Sequence, residues 1–406
     1  MEFLTAVTSD EALRIIGSFP FPERKMEDIR PDEALGRILA EEVVASEDIP
    51  PFARSLVDGF AVRVKDIYGA RETTPALLVA KGEVKVGEET TLLVRPGEAV
   101  YVATGAMLPE GADGVVMQEQ TRQTGHDVEV TRTVYKGENI CFRGEDIKKG
   151  SPVLAKGKKL SPFDIGVLAA LGVTRVAVYP TPRVALISSG DEIVPVDVTP
   201  PPGKVRDINR YTISGLMALA SCSVLFMGIA TDTIEDITQR LEAAKDSDLI
   251  VLSGGSSKGQ SDFVTRAIER LGGKILFHGI NVRPGKPTIF GTLWGKPVFG
   301  LPGHPVSCSL IVLRFVFPLL TLLSGEGRPN LRTVKARLDV NVASSYGIEE
   351  YVRVKLSVVD GDYVVEPLFA KSSVISMLAA ADGYIIVPEG AEGLEQGEEV
   401  EVFTLG

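Results

Sequence analysis

Four carboxylates and three cations in this chain each follow an apolar run, and their spacing suggests a site. RVALISSG (183–190) leads to Asp191 and Glu192, and CSVLFMGIA (222–230) leads to Thr231 and Asp232. DLIVLSGG opens into LSGGSSKGQSDF (252–263), in which Ser253, Gly254, Gly255 and Ser256 precede Lys258, and Asp262 closes the run. KILFHGINV leads to Arg283-Pro284-Gly285-Lys286, and KPVFG leads to Leu301-Pro302-Gly303-His304-Pro305. Acids of this kind suit a hard divalent cation such as Mg²⁺. Loop N–H groups, helix N-termini and the bases Lys258, Arg283 and Lys286 suit a phosphorylated ligand. No nucleophile stands beside a base, so the expected chemistry is positioning and electrostatics, with a metal as Lewis acid.

Plainer uses compete with each assignment. The glycines also suit ordinary turns. Asp262 and Thr231 also suit helix N-caps. Lys258 also suits a solvated loop, and Arg283 with Lys286 a surface turn. The 252–263 run matches neither phosphate-loop fingerprint. Gly254 and Gly259 have the P-loop separation, but Gln260 and Ser261 follow them, and the lysine lies inside the loop. What favours a site is that all of these groups fall on one edge of one sheet.

That edge depends on the elements between. Apolar runs alternate with helical patterns from 181 onward, such as NRYTISGLMALAS (209–221) and TIEDITQRLEAAK (233–245). Such alternation predicts a mostly parallel α/β sheet covered on both faces, with ligands at the carboxyl ends of its strands. Residues 9–20, 31–46 and 161–172 carry helical patterns, 50–140 read as β-rich, and 331–406 as strands and turns. The apolar run 305–323 contains Arg314 and Pro318 and reads as a buried helix rather than a membrane span. The expected organisation is a helical linker domain (1–47 with 142–177), an inserted β-domain (48–141), an α/β domain (178–326) and a C-terminal β-domain (327–406).

Composition narrows the function classes. A chain of 406 residues exceeds one core, and its 44% hydrophobic content is ordinary for a globular protein. The net charge of −11 argues against a nonspecific nucleic-acid binder. Cys141, Cys222 and Cys308 are far apart and the three histidines are scattered, so a structural zinc site and a disulfide framework are not expected. The N-terminus lacks a basic segment followed by an apolar one, so a cytoplasmic protein is expected.

Two segments outside the α/β stretch complete a pattern. PPFARSLVDGFAVR (50–63) holds Asp58, and ATGAMLPEGADGVVMQEQT (103–121) holds Thr104. With GENICFRGEDIKKG, ISSGDE, LSGGSSKGQSDF, RPGKP and GLPGHPVS they occur in an order that resembles the MoeA family of molybdopterin molybdenumtransferases, which includes the gephyrin E domain. The resemblance spans the whole chain. It implies an elongated molecule with a MogA-like α/β domain and a C-terminal β-barrel-like domain. It implies Mg²⁺-dependent insertion of molybdate, or tungstate, into adenylyl-molybdopterin with release of AMP. It implies a homodimer whose cleft is shared between subunits. Asp58 and Thr104 would come from one subunit, and Glu192, Asp232, Asp262, Arg283 and Lys286 from the other. Arg353 in EEYVRVKL, and Ser372 or Ser373 in KSSVIS, would face the same cleft. Glu192, Asp232 and Asp262 are the metal candidates, and which of them binds metal and which acts on water stays open. A separate molybdopterin adenylyltransferase is a candidate partner; no nucleic acid or membrane is. Three other readings remain: an adenylyltransferase, a gephyrin-like scaffold without catalysis, and a CinA-like nucleotide amidase or pyrophosphatase.

Overall fold

The computed structural model describes residues 6–21, 25–254, 261–326, 333–369 and 371–404, with Ser261 and Asp262 described in backbone only. The loop residues Gly255, Ser256 and Lys258 and the Asp262 side chain lie outside the described residues.

The centre is a six-stranded sheet in the order Ser223–Ala230, Arg183–Ser189, Leu249–Ser253, Lys296–Leu301, Ile289–Leu293 and Lys274–His278. The first four strands are mutually parallel, and the last two pairings are antiparallel, as a mostly parallel sheet requires. All five residues of Leu249–Ser253 are buried, because both faces are covered. Alternate side chains feed two cores. Val184, Leu186 and Val251 pack with the N-terminal helix Ser9–Gly17 and the apolar run after Pro305. Ala185, Ile187, Ile250 and Leu252 pack with the helices Ile234–Ala243 and Ser261–Arg270. The cap of Ile234–Ala243 is Thr233 rather than Thr231, which hydrogen-bonds Asp236 instead.

The run Pro305–Ser324 is the one helical segment among the described residues that is long and apolar enough to cross a membrane, and 67% of its most apolar window is buried in the molecule. It is a core helix, as its sequence predicts. Between Pro305–Ile311 and Phe317–Ser324 it widens into a π turn, Val312–Val316. Pro318 has no N–H for the carbonyl four residues earlier, and a wider turn absorbs the defect.

The expected helix over 31–46 does not form. Pro31–Glu33 makes one 3₁₀ turn, Gly36 takes φ +75°, and the chain then runs into strand pairings. Ala40 donates to the Ala177 carbonyl at 2.9 Å, and Val43–Val44 pairs with Pro152–Leu154. Ile38, Leu39 and Ala40 are consecutive and all buried, a pattern one helical face cannot provide. Local propensity gave way to pairing with a segment more than a hundred residues away. The linker's helix is Pro162–Ala170, capped by Ser161.

Residues 59–130 form a second six-stranded sheet. In the C-terminal region Glu349–Val359, Asp362–Pro367, Thr333–Leu338, Glu399–Thr404 and Gly383–Val387 pair in turn. The last strand pairs back to the first and closes a barrel. Val282–Arg283 adds to this barrel alongside Glu349–Glu350, so the α/β segment lends it a strand.

The linker helix supplies a pH-sensitive test. Asp164 is 5% exposed. Burial alone would push its carboxyl up, but Lys158 Nζ at 2.6 Å and the Ser161 N–H and hydroxyl hold it below the ordinary value. A depressed carboxyl stabilises the fold above its unfolded value and loses that contribution as pH falls through the folded one. Asp164→Ala should therefore lower amide-exchange protection across Ile165–Leu171 by about fivefold near pH 7, a loss of about 1 kcal/mol. The difference from the parent should fade as pH falls below about 4.

Candidate functional site

The carboxyl ends of the parallel strands enclose a cavity of about 540 Å³. Ser188 and Ser189 reach it from one strand, Ser253 and Gly254 from the next, and Pro302, Gly303 and His304 from the third. Glu192 and Pro287 stand on its wall, and Ser373 of the C-terminal region closes one side. Gly254 has φ +98°, and a Cβ there would lie 2.0 Å from the Ser189 carbonyl oxygen. Only glycine lets these two strand ends approach so closely.

The acids are partly engaged with backbone. Asp232 accepts from the Ser189 hydroxyl at 3.1 Å and from the Asp191 N–H at 3.4 Å, and the Asp232 N–H donates to Asp191 at 3.2 Å. The Glu192 carboxylate sits against Gly190, where a Cβ would lie 2.6 Å from Oε2. Among the described residues no three His, Cys, Asp or Glu side chains form a group able to hold a metal ion. Cys308, buried 3.9 Å from the Ser253 hydroxyl, is pushed up to about 12 by burial and stays a thiol at neutral pH.

A second cavity of about 360 Å³ adjoins the first, lined by Arg283, Glu350, Arg353 and Ser372 among others. Part of the wall between them is one contact: Pro305 and Ser373 face the larger cavity, Val306 and Ser372 the smaller, and the Val306 N–H donates to the Ser372 carbonyl at 3.2 Å. Arg283 lies 3.6 Å from Glu350. Arg353 is 6% exposed, and burial draws its guanidinium below the ordinary value. Lys286 is exposed on the turn between the cavities, which Gly285 seats on Ile311: a Cβ there would lie 2.4 Å from Ile311 Cδ1.

Asp58 and Thr104 meet each other in the inserted domain. Asp58 accepts from the Thr104 N–H at 2.7 Å and its hydroxyl at 3.0 Å, and these bonds hold its carboxyl below the ordinary range. Both residues are exposed, and neither lines the two cavities. The structure therefore brings together Glu192, Ser253, Gly254, Pro302, Gly303 and Ser373. It sets Arg283, Arg353 and Ser372 next door, and Asp232 behind Ser189.

Sequence reasoning missed Asp207 and Asn209. Asp207 is 4% exposed and accepts from the Ser188 hydroxyl at 2.5 Å, and Asn209 bonds Ser253 and Gly303. They enter from a small pair, Ile193–Val194 with Val205–Arg206, rather than from a central strand. The available signal was Asp207 placed three residues before Arg210, whose N–H it accepts at the start of the helix Asn209–Leu219.

Comparison with known proteins settles the kinship. Residues 7–172 match the model of the MoeA N-terminal region (domain I and II), 185–322 a probable molybdopterin binding domain, and 335–405 the MoeA C-terminal region (domain IV). The chain belongs to the MoeA family. A molybdopterin molybdenumtransferase of Bacillus subtilis is 31% identical over 100% of this chain and 95% of its own length. One of Staphylococcus epidermidis is 32% identical over 99% and 96%. A crystal structure of the MoeA protein from Pyrococcus horikoshii matches with a TM-score of 0.84 and 32% identity, covering 98% of this chain and 100% of its own. This full-length likeness bears out the multidomain α/β architecture with its C-terminal barrel.

The Asp58–Thr104 pair can be titrated directly. Thr104→Val removes the hydroxyl but keeps the stronger main-chain bond. The Asp58 carboxyl, followed by carboxyl-carbon NMR, should therefore rise toward the ordinary value of about 3.9 without reaching it.

Proposed function

We propose that this chain is a molybdopterin molybdenumtransferase that inserts molybdate, or tungstate, into adenylyl-molybdopterin in a Mg²⁺-dependent step that releases AMP. The observation that carries this reading is the cavity at the strand ends, inside the segment that matches a molybdopterin-binding domain. Its walls supply hydroxyls, glycine backbone and acids, the equipment for holding a phosphorylated ligand.

The chain's residues divide the work. Ser253, Gly254 and the residues after them receive the phosphate, ahead of the N-terminal end of the helix Ser261–Arg270. Pro302 and Gly303 form the opposing wall. Arg283 and Lys286, with Arg353 and Ser372 behind the partition, attract the dianionic oxyanion. Glu192, Asp232 and Asp262 are the groups to hold Mg²⁺. Hard carboxylate oxygens fit this ion, which characteristically takes one or two carboxylates and shares substrate phosphate oxygens. When bound, Mg²⁺ neutralises charge on the phosphate that leaves as AMP. A separate adenylyltransferase would supply the adenylylated pterin.

Asp58 and Thr104 serve the cleft of a second copy in a homodimer. That idea is supported by their exposure and by their lining neither cavity of their own chain. Oxyanion-dependent AMP release from adenylyl-molybdopterin, with molybdate and tungstate scanned separately, tests the activity. Asp58→Ala and Glu192→Ala should each lose at least about a hundredfold in rate. Mixed and re-equilibrated, the two inactive variants should recover about a quarter of parental activity, since half the dimers would then carry one intact site. Recovery of nothing would place both acids in one subunit's site. Absence of AMP with either oxyanion would overturn the reading.

A further inference from the structure

Asn209 joins the two walls of the cavity. Its Nδ2 donates to the Ser253 hydroxyl at 2.8 Å and to the Gly303 carbonyl at 2.9 Å. Ser253 ends one parallel strand, and Gly303 follows its neighbour. The orientation of the amide is fixed by its partners. A backbone carbonyl only accepts, so the group facing Gly303 must be the NH₂. The Asn209 carbonyl oxygen is left buried, without a hydrogen-bond partner among the described residues.

Both donors prepare the cavity for an anion. The NH₂ cannot accept, so Ser253 Oγ is committed as its acceptor and the hydroxyl proton must point elsewhere. The other near group among the described residues is the Cys308 sulfur at 3.9 Å, a poor partner. The Ser253 proton is thereby left for a ligand oxygen. At the same time the Gly303 carbonyl, whose partial negative charge would oppose an anion, is occupied by an N–H. We propose that Asn209 is a positioning residue that sets the polarity of the cavity: it turns the Ser253 hydroxyl into a dedicated donor and masks the Gly303 carbonyl, so that the cavity favours a phosphate monoester over its uncharged parent. This deepens the functional reading above and rests on it for the identity of the phosphate as that of AMP.

The probes are AMP and adenosine, titrated by calorimetry into the full-length protein with Mg²⁺ present. The parent should bind AMP more tightly than adenosine. Asn209→Ala should reduce that preference about tenfold, the scale of one buried hydrogen bond. Asn209→Asp, nearly the same shape, should reduce it further, because a carboxylate accepts from Ser253 and turns its proton away from the ligand. Ser253→Ala should weaken AMP in the parent, yet cost nothing more in the Asn209→Asp background. A role confined to folding predicts instead that AMP and adenosine weaken together while the melting temperature drops. That pattern, or an AMP preference that survives Asn209→Asp, would overturn the proposal. A parent without AMP preference would overturn it too. Oxyanion-dependent AMP release in that parent would leave the functional reading standing, so the two fail separately.

Discussion

The architecture turns on a charge pair at the meeting point of three distant segments. Glu349, at the start of the barrel, accepts from the Ser9 hydroxyl at 2.7 Å and the Tyr351 hydroxyl at 2.5 Å, and lies 3.6 Å from Arg314 Nε. Ser9 opens the N-terminal helix, and Arg314 sits in the π turn of the core helix. Burial alone would lower the Arg314 guanidinium, and Glu349 together with the Tyr351 and Tyr384 hydroxyls more than offsets it. Burial first, and Glu349 second, push the Tyr351 phenol up. Such a pair gains little net stability after desolvation, but a misdocked barrel would leave two partly buried charges apart from each other. That penalty selects one orientation of the barrel on the α/β sheet. The strand Val282–Arg283 pairs beside Glu349–Glu350 and is registered by the same choice.

Site geometry follows from that orientation. Ser373 closes the larger cavity and Arg353 lines the smaller one because the barrel is held where it is. The π turn has a further effect. Pro318 forces the helix to widen near Arg314, and the Pro305 end of the same helix forms the partition between the cavities. One helix therefore carries the docking charge at its middle and the cavity wall at its beginning. The net charge of −11 does not conflict with the oxyanion substrate proposed for this site. Arg283, Lys286 and Arg353 act over a few ångströms, whereas the surface field is screened beyond about 10 Å in salt.

Much of this was legible in the sequence. The alternating runs from 183 onward specify the parallel sheet, and the position of each polar cluster after a strand specifies the cavity edge. The helix at 162–170 was readable from Ser161 and Pro162 because a capping box is a local device. The segment 31–46 was not readable, since its pairing partners lie at 152–154 and 177–178 and no local pattern encodes them. Asn209 and Asp207 escaped for a related reason. Both look like ordinary helix-start residues, and only the close approach of Ser189 and Gly254 brings the strand ends near enough for one amide to span Ser253 and Gly303.

The kinds of groups around the cavity also constrain its chemistry. Cys308 is the nearest sulfur, and a thiol pushed up to about 12 is almost wholly protonated at neutral pH, which disqualifies it as a nucleophile. Ser188 gives its proton to Asp207, whose other oxygen accepts from the Arg210 N–H, so both Asp207 oxygens already serve the fold as acceptors. Ser189 is likewise committed to Asp232. Of the three serines at the strand ends, only Ser253 keeps a proton without a good acceptor among the described residues. A cavity with its hydroxyls assigned in this way is not arranged for covalent catalysis. It suits the proposed role of holding an anion between two walls, where fixed dipoles would act on developing charge without having to reorganise.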